Sequence, residues 1–360
     1  MKALSRLGLT PLVALAMALA LSACSLGDES TQRMDQYLQR LSGLLEQPLV
    51  PSPVATVEAL PRRRERVLEM PELDMGLVDF LSLYGCDLQV VVGERTSSLG
   101  RVMHPGTRLE YEVRFISAAG RCLPSIDNER RAEALKEALE SKKDSLPTAI
   151  WNATWGSEEL ASFLSRSQGT LPQDMPPQTL QEARQSLVTM TEAVASLAGD
   201  SRPDELEPLH GVYQRWQSGA TAGKLLRSAE LMAARLEDGA GMMEKRLRDP
   251  LCPDGQPAGL ADGARDLYNG YYAERVRPYL ELLQQARELL LPPLQQLMAR
   301  QRVAIPPGME DFLTRNIREG EGSVWQSLDR ASLRHHQAWQ ALLVPCGANG
   351  NEEDADKASR

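Results

Sequence analysis

The chain has 360 residues, 42% of them hydrophobic, with 40 Lys and Arg against 49 Asp and Glu. That length is enough for one large domain or two packed ones, each with a substantial core. An acidic balance argues against nucleic acid as a partner and against a broad electrostatic grip on anionic lipid.

At the start, Lys2 and Arg6 give a positive segment, Leu7 to Leu21 an apolar run, and Leu21-Ser22-Ala23-Cys24 resembles a lipobox. The run is shorter than the roughly 20 apolar residues a bilayer span needs, and it ends in small residues. Residues 1–23 are therefore expected to be a lipoprotein signal peptide cut before Cys24, with Cys24 acylated and residues 24–33 a tether. Two or more acyl chains hold a protein stably where a single chain binds only marginally. Ser25, rather than Asp, follows the cysteine, which resembles the outer-membrane sorting pattern, with the domain on the periplasmic face. The leader holds Lys2 and Arg6 and no acid, so the rest carries 38 basic residues against 49 acidic ones, a balance of −11. The anchor then has to supply the membrane affinity.

Beyond the tether, Met34, Tyr37, Leu38, Leu41, Leu44 and Leu45 fall on one face of a helix over residues 33–47. Pro48, Pro51 and Pro53 mark a link, and a second helix is expected from Pro61 until Pro71 ends it. Arg62, Arg63, Arg64 and Arg66 form the strongest basic cluster, best read as an exposed helix start balanced by Glu65 and Glu69. Residues 73–96 are apolar nearly all round, as a central helix of a bundle would be. Asp79 inside that helix needs a partner if buried, and with Glu94, Arg95 and Ser98 it is positioned to line a polar pocket. An internal ion pair with a capping turn is the simpler reading of the same residues.

Residues 109–115 alternate apolar and polar as a strand does, yet Leu109, Val113 and Ile116 also share a helix face, with Tyr111 and Phe115 one turn apart. Helix is preferred, because Ile116-Ser117-Ala118-Ala119 continues it and an isolated two-stranded ribbon is marginal. Later helices are expected from an Asp127 cap to about Lys143, from Ser157, from Pro176-Pro177 to Gly199, and over 225–236. Another runs over 267–291, kinked near Pro278 and broken at Pro292-Pro293, and the last over 323–344. The polar, acidic residues 347–360 read as a disordered tail, leaving 34–346 as a helical domain. The fold class is all-α, a disulfide-bridged multi-helix bundle.

After Cys24, the cysteines are Cys86, Cys122, Cys252 and Cys346, none in a C-x-x-C pair. In an oxidising compartment an even number reads as disulfides, and spacing favours Cys86 with Cys122 and Cys252 with Cys346. A turn over Gly100–Gly106 between two antiparallel helices would place Cys86 and Cys122 at similar depth, roughly 21 and 24 Å from it at 1.5 Å per residue.

No reactive constellation emerges. Gly219-Ala220-Thr221-Ala222-Gly223-Lys224 lacks a spacer and the Ser or Thr of a phosphate loop, so neither a nucleotide nor any other cofactor is expected, and the glycines read as close helix packing or a cap. His335 and His336 point about 100° apart on a helix and read as a solvated or partly packed pair, and His104 and His210 are isolated, so no metal site is expected. No serine-hydrolase elbow occurs, and catalytic residues are expected to be absent unless two acids converge for glycoside cleavage.

The run 77–83 with Cys86, then Glu94-Arg95-Thr96-Ser97-Ser98-Leu99-Gly100, Leu109 to Phe115 and Cys122 resembles a family of gammaproteobacterial lipoproteins known only as a domain of unknown function. The likeness extends to Trp339-Gln340, Leu342-Leu343 and Cys346-Gly347. It implies an envelope address and no activity. The expected role is a lipid-anchored envelope protein that binds an envelope protein or cell-wall component without catalysis; the alternative is a cell-wall or polysaccharide-cleaving enzyme using paired carboxylates.

Overall fold

A computed structural model of the chain describes residues 29–54, 59–71, 86–96, 103–199, 203, 206, 209–252 and 259–346. The leader, Cys24, Asp79, Ser98 and the expected tail 347–360 lie outside the described residues. Every regular element among the described residues is helical, in agreement with the all-α reading.

Helix α1, Glu29–Leu45, buries Met34, Tyr37, Leu38, Leu41 and Leu45, which is the face read from the sequence. It begins at Glu29, where an acid at the first turn pairs with Arg33 four residues on. The helix expected from Pro61 is corrected to one turn, α2, Arg63–Arg66, followed by extended chain. The reason lies in its partner: the Asn152 side chain exchanges two 2.8 Å bonds with the backbone N–H and C=O of Leu68, and Trp151 Nε1 donates to the Arg66 carbonyl at 2.6 Å. Those bonds hold the chain out of the helix.

Helices α3, Leu88–Thr96, and α4, Pro105–Cys122, pack on one another, and a disulfide joins Cys86 to Cys122. The Cys86–Cys122 pairing favoured by spacing is thus present, while residues 97–102 of the expected turn lie outside the described residues. Residues 109–115 are helical, and the alternation arises because α4 buries two faces, with Leu109, Val113 and Ile116 on one and Tyr111 and Phe115 on another. Helix α5, Glu129–Ala153, packs against α4. Its cap is Asn128 rather than Asp127: the Asn128 side chain accepts from the Arg131 N–H at 3.1 Å. It also runs past Lys143 and through Pro147, because Leu146, Ala149, Ile150 and Trp151 are all buried and outweigh the lost bond.

Ser157 caps α6, Glu158–Phe163, by accepting from the Leu160 N–H at 3.1 Å. Helix α7, Pro177–Leu197, starts at the expected prolines, and α8, Leu209–Gly219, packs on both α6 and α7. Helix α9, Thr221–Arg246, is twice as long as read, and α10, Ala261–Leu267, leads into a π-helical stretch, Tyr268–Val276. Helix α11, Arg277–Ala299, follows without a break at Pro292-Pro293, correcting that expectation; Leu290, Leu291, Leu294 and Leu297 are buried along it. Helix α12, Pro307–Phe312, continues into a second π turn, Leu313–Ile317, and α13, Val324–Leu343, ends at Val344–Cys346, where Cys346 is bridged to Cys252.

The chain divides into two compact units. One takes the segment up to Pro53, Leu231–Tyr279 and Ala331 onward, and contains the Cys252–Cys346 bridge. The other takes Val54–Glu230 and Leu280–Arg330, and contains the Cys86–Cys122 bridge. The larger unit is built on Trp151, Trp155, Trp216, Phe115 and Phe163; the smaller on Tyr37, Trp339 and the leucines of α1.

Candidate functional site

In the smaller unit, α1, α10 and the π-helical stretch meet around a set of aromatic rings. A π turn carries an extra residue relative to an α turn, which widens the helix and is enriched at functional positions. Here it holds Tyr268, Tyr271 and Tyr272 against Tyr37 of α1 and Trp339 of α13.

The inner side of this cluster is closed. Trp339 Nε1 donates to the Tyr37 hydroxyl at 2.9 Å, and Tyr37 Oη lies 2.7 Å from His335 Nε2. The Tyr37 hydroxyl thus bridges the indole and the imidazole, whose Nδ1 is buried and meets no hydrogen-bond partner among the described residues. Burial pushes the His335 pKa down to about 3, with the neighbouring His336 adding to the shift. His335 is therefore a neutral core residue with 0% exposure, which selects the partly packed reading of the pair over the solvated one. His336 remains half-buried. Gly239 packs closely beside it, since a Cβ there would stand 3.1 Å from His335 Cδ2.

The outer side is open. A cleft of about 420 Å³ is lined by Arg40 and Leu44 of α1, Gly263, Asp266 and Leu267 of α10, and Gly270, Tyr271 and Arg275 of the π stretch. Its volume lies in the range of small-ligand sites, about 300–1,000 Å³. Tyr271 anchors the floor: its hydroxyl donates to the Arg33 carbonyl at 3.1 Å, with Gln36 Oε1 at 3.4 Å. The Arg40 and Arg275 guanidiniums lie 4.9 and 5.4 Å from the centre of the Tyr271 ring. Both arginines and Asp266 are exposed at the rim. Chemically this is a cationic cleft with one acid, suited to holding an anionic group.

The residues singled out from sequence fall elsewhere. Glu94 is exposed and pairs with Arg114 at 2.8 and 3.0 Å, a surface pair with a residue outside the expected set. Arg95 is half-buried, and the other two pocket candidates, Asp79 and Ser98, lie outside the described residues. In the basic cluster Arg62, Arg63 and Arg64 are exposed as expected, but Arg66 is buried and donates to the Ser157 carbonyl at 3.2 Å and to Glu158 at 3.0 Å. Its pKa is lowered by burial, against the pull of Glu158. Gly223 packs so closely on the backbone of Leu164 and Ser165 that a Cβ would overlap it, which is the packing role read for the glycines of that segment. His104 Nε2 lies 2.9 Å from Glu159.

Buried carboxylates in the larger unit serve the fold. Lys142 Nζ lies 2.8 and 2.9 Å from the two oxygens of Glu112, which also pairs with Arg108. Burial lowers the Lys142 pKa, and Glu112 opposes that shift. Glu230 pairs with Arg166 and Arg227, and burial nonetheless raises its pKa. Among the described residues no group of three His, Cys, Asp or Glu is placed to hold a metal ion, and no helix is long and apolar enough to cross a membrane.

The cleft escaped sequence reading because Arg40 and Arg275 belong to distant segments joined only through Tyr271, and a π turn has no composition signature. The model of a family described as a protein of unknown function (DUF3080) matches residues 34–349. No curated protein and no solved structure matches the chain.

Proposed function

The chain belongs to the DUF3080 family of proteins of unknown function, and within it we propose a lipid-anchored envelope protein whose helical part binds a ligand rather than transforming one. The observation that carries this reading is the pairing, in one chain, of Leu21-Ser22-Ala23-Cys24 with two bridged cysteine pairs. A lipobox addresses a protein to the far side of the inner membrane, and disulfides persist in such an oxidising compartment. Binding is favoured over paired-carboxylate hydrolysis because the buried acids Glu112, Glu159 and Glu230 each face a basic partner, which ties them to the fold. The cleft around Tyr271 is the binding site in this reading.

Metabolic labelling with a radioactive fatty acid tests the anchor. The wild-type chain takes up label and sediments with membranes, while Cys24→Ser takes up none and is released with the soluble periplasmic fraction. An unlabelled wild-type chain overturns the anchor. Density-gradient separation of the two membranes tests the address: the chain bands with outer membrane, and Ser25→Asp moves it to the inner.

A further inference from the structure

We infer that the cleft around Tyr271 recognises an ammonium–phosphate zwitterion, the chemistry of a phosphoethanolamine group; this rests on the binding reading above and names its ligand.

Arg40 and Arg275 come from different elements, each guanidinium lies against the Tyr271 ring, and both line the one cleft. Neither meets a carboxylate or another hydrogen-bond acceptor among the described residues, although neighbouring Arg33 and Arg265 pair with Glu29 and Asp262. Two unneutralised cations held on one ring create a place where an anion gains from both. A single carboxylate is satisfied by one guanidinium in bidentate fashion, whereas two guanidiniums arriving from separate elements match the several acceptor oxygens of a tetrahedral phosphate. Tyr271 keeps the pair in register, because its hydroxyl is fixed to the backbone of α1.

Asp266 sets the second half of the specificity. It lies on the same cleft, is exposed, and meets no basic group among the described residues. A polyphosphate would be repelled by it, while an ammonium group beside the phosphate would be attracted. Gly270 leaves that side open, since a Cβ there would meet nothing within 4 Å. The ligand's source is either a lipid headgroup or a soluble ester. Glu29 is five residues after Cys24, about 18 Å at full extension, and Arg40 is eleven residues further, about 17 Å along a helix. Headgroups of an anchoring membrane are therefore within reach.

The test uses the chain from residue 24 onward with Cys24→Ser, so that its outcome is independent of acylation and separable from the labelling experiment. Calorimetric titration is made with phosphoethanolamine and with inorganic phosphate, and flotation with vesicles of phosphatidylcholine with or without phosphatidylethanolamine. Phosphoethanolamine binds; Arg40→Gln and Arg275→Gln each weaken it by about tenfold or more; Asp266→Asn weakens phosphoethanolamine and leaves phosphate unchanged or tighter. Near-ultraviolet circular dichroism of each variant verifies that the fold is retained. Capture by phosphatidylethanolamine vesicles assigns the headgroup as the source, and binding in solution alone assigns the soluble ester. No binding of phosphoethanolamine at millimolar concentration, equal binding by the Arg40→Gln, Arg275→Gln double variant, or equal losses with both probes on Asp266→Asn would each overturn the inference.

Discussion

The most deeply buried polar clusters of the two compact units are built in opposite ways. In the smaller, the Trp339–Tyr37–His335 chain is neutral from end to end. In the larger, Glu112 has 0% exposure and is held by the cations Lys142 and Arg108, with Lys142 also 5.2 Å from the Tyr111 ring and 5.6 Å from Phe115. This neutral chain carries no net charge to strand, even though His335 Nδ1 stays buried without a partner among the described residues, so removing one member leaves a modest deficit. An ionic cluster exists only as a whole, because any member left alone is a charge without solvent. The contrast predicts that substitution should hurt the larger unit most and that acid should act through the smaller.

The largest expected effect is Glu112→Gln, which strands Lys142 and Arg108 and should cost about 3–5 kcal/mol in denaturant unfolding. Removing the pair together as Glu112→Leu with Lys142→Met should cost less than either single change; equal costs would show that the ions are not coupled. Acid comes next. His335 has its pKa held at about 3 in the fold against an ordinary 6.5, so the unfolded chain binds the extra proton between those values. Stability is then full above pH 6.5 and falls as pH drops toward 3, by about 1.4 kcal/mol per unit through this group. His335→Gln should flatten that slope even if it lowers stability at neutral pH.

The bridges give a smaller difference. Cys252–Cys346 closes a separation of 94 residues and Cys86–Cys122 one of 36. By chain entropy alone, replacing the longer pair with serines should cost about 1 kcal/mol more than replacing the shorter. Smallest of all, Arg275→Gln should shift the unfolding free energy by under about 0.5 kcal/mol, because it is exposed. A large loss would make Arg275 a support of the π stretch rather than a ligand contact.

How far these features could be read in advance depended on whether their cause was local. The cap at Ser157, the proline start of α7 and the apolar face of α1 rest on neighbours within one or two turns, and all appear as read. Cysteine spacing was enough for both bridges because each joins two cysteines that are neighbours in the order of the cysteines along the chain. The continuity of α5 through Pro147 and of α11 through Pro292-Pro293 was not, since propensity yields there to burial supplied by other helices. For His335 the sequence left solvated and partly packed open for a related reason: its partner, Tyr37, lies 298 residues away in sequence. The cleft is further out of reach, needing both a distant pairing and a change of helical pitch.

That change of pitch makes the Tyr271 site a matter of counting. One residue more than an α turn accommodates rotates everything that follows by about 100° relative to everything before. Tyr271 and Arg275 owe their bearing to that phase offset. Deleting Asn269, an exposed residue in the nine-residue wide stretch, would rotate the Tyr271 side by about 100° against the α10 side. A single-codon deletion could therefore erase the site while touching none of its lining side chains.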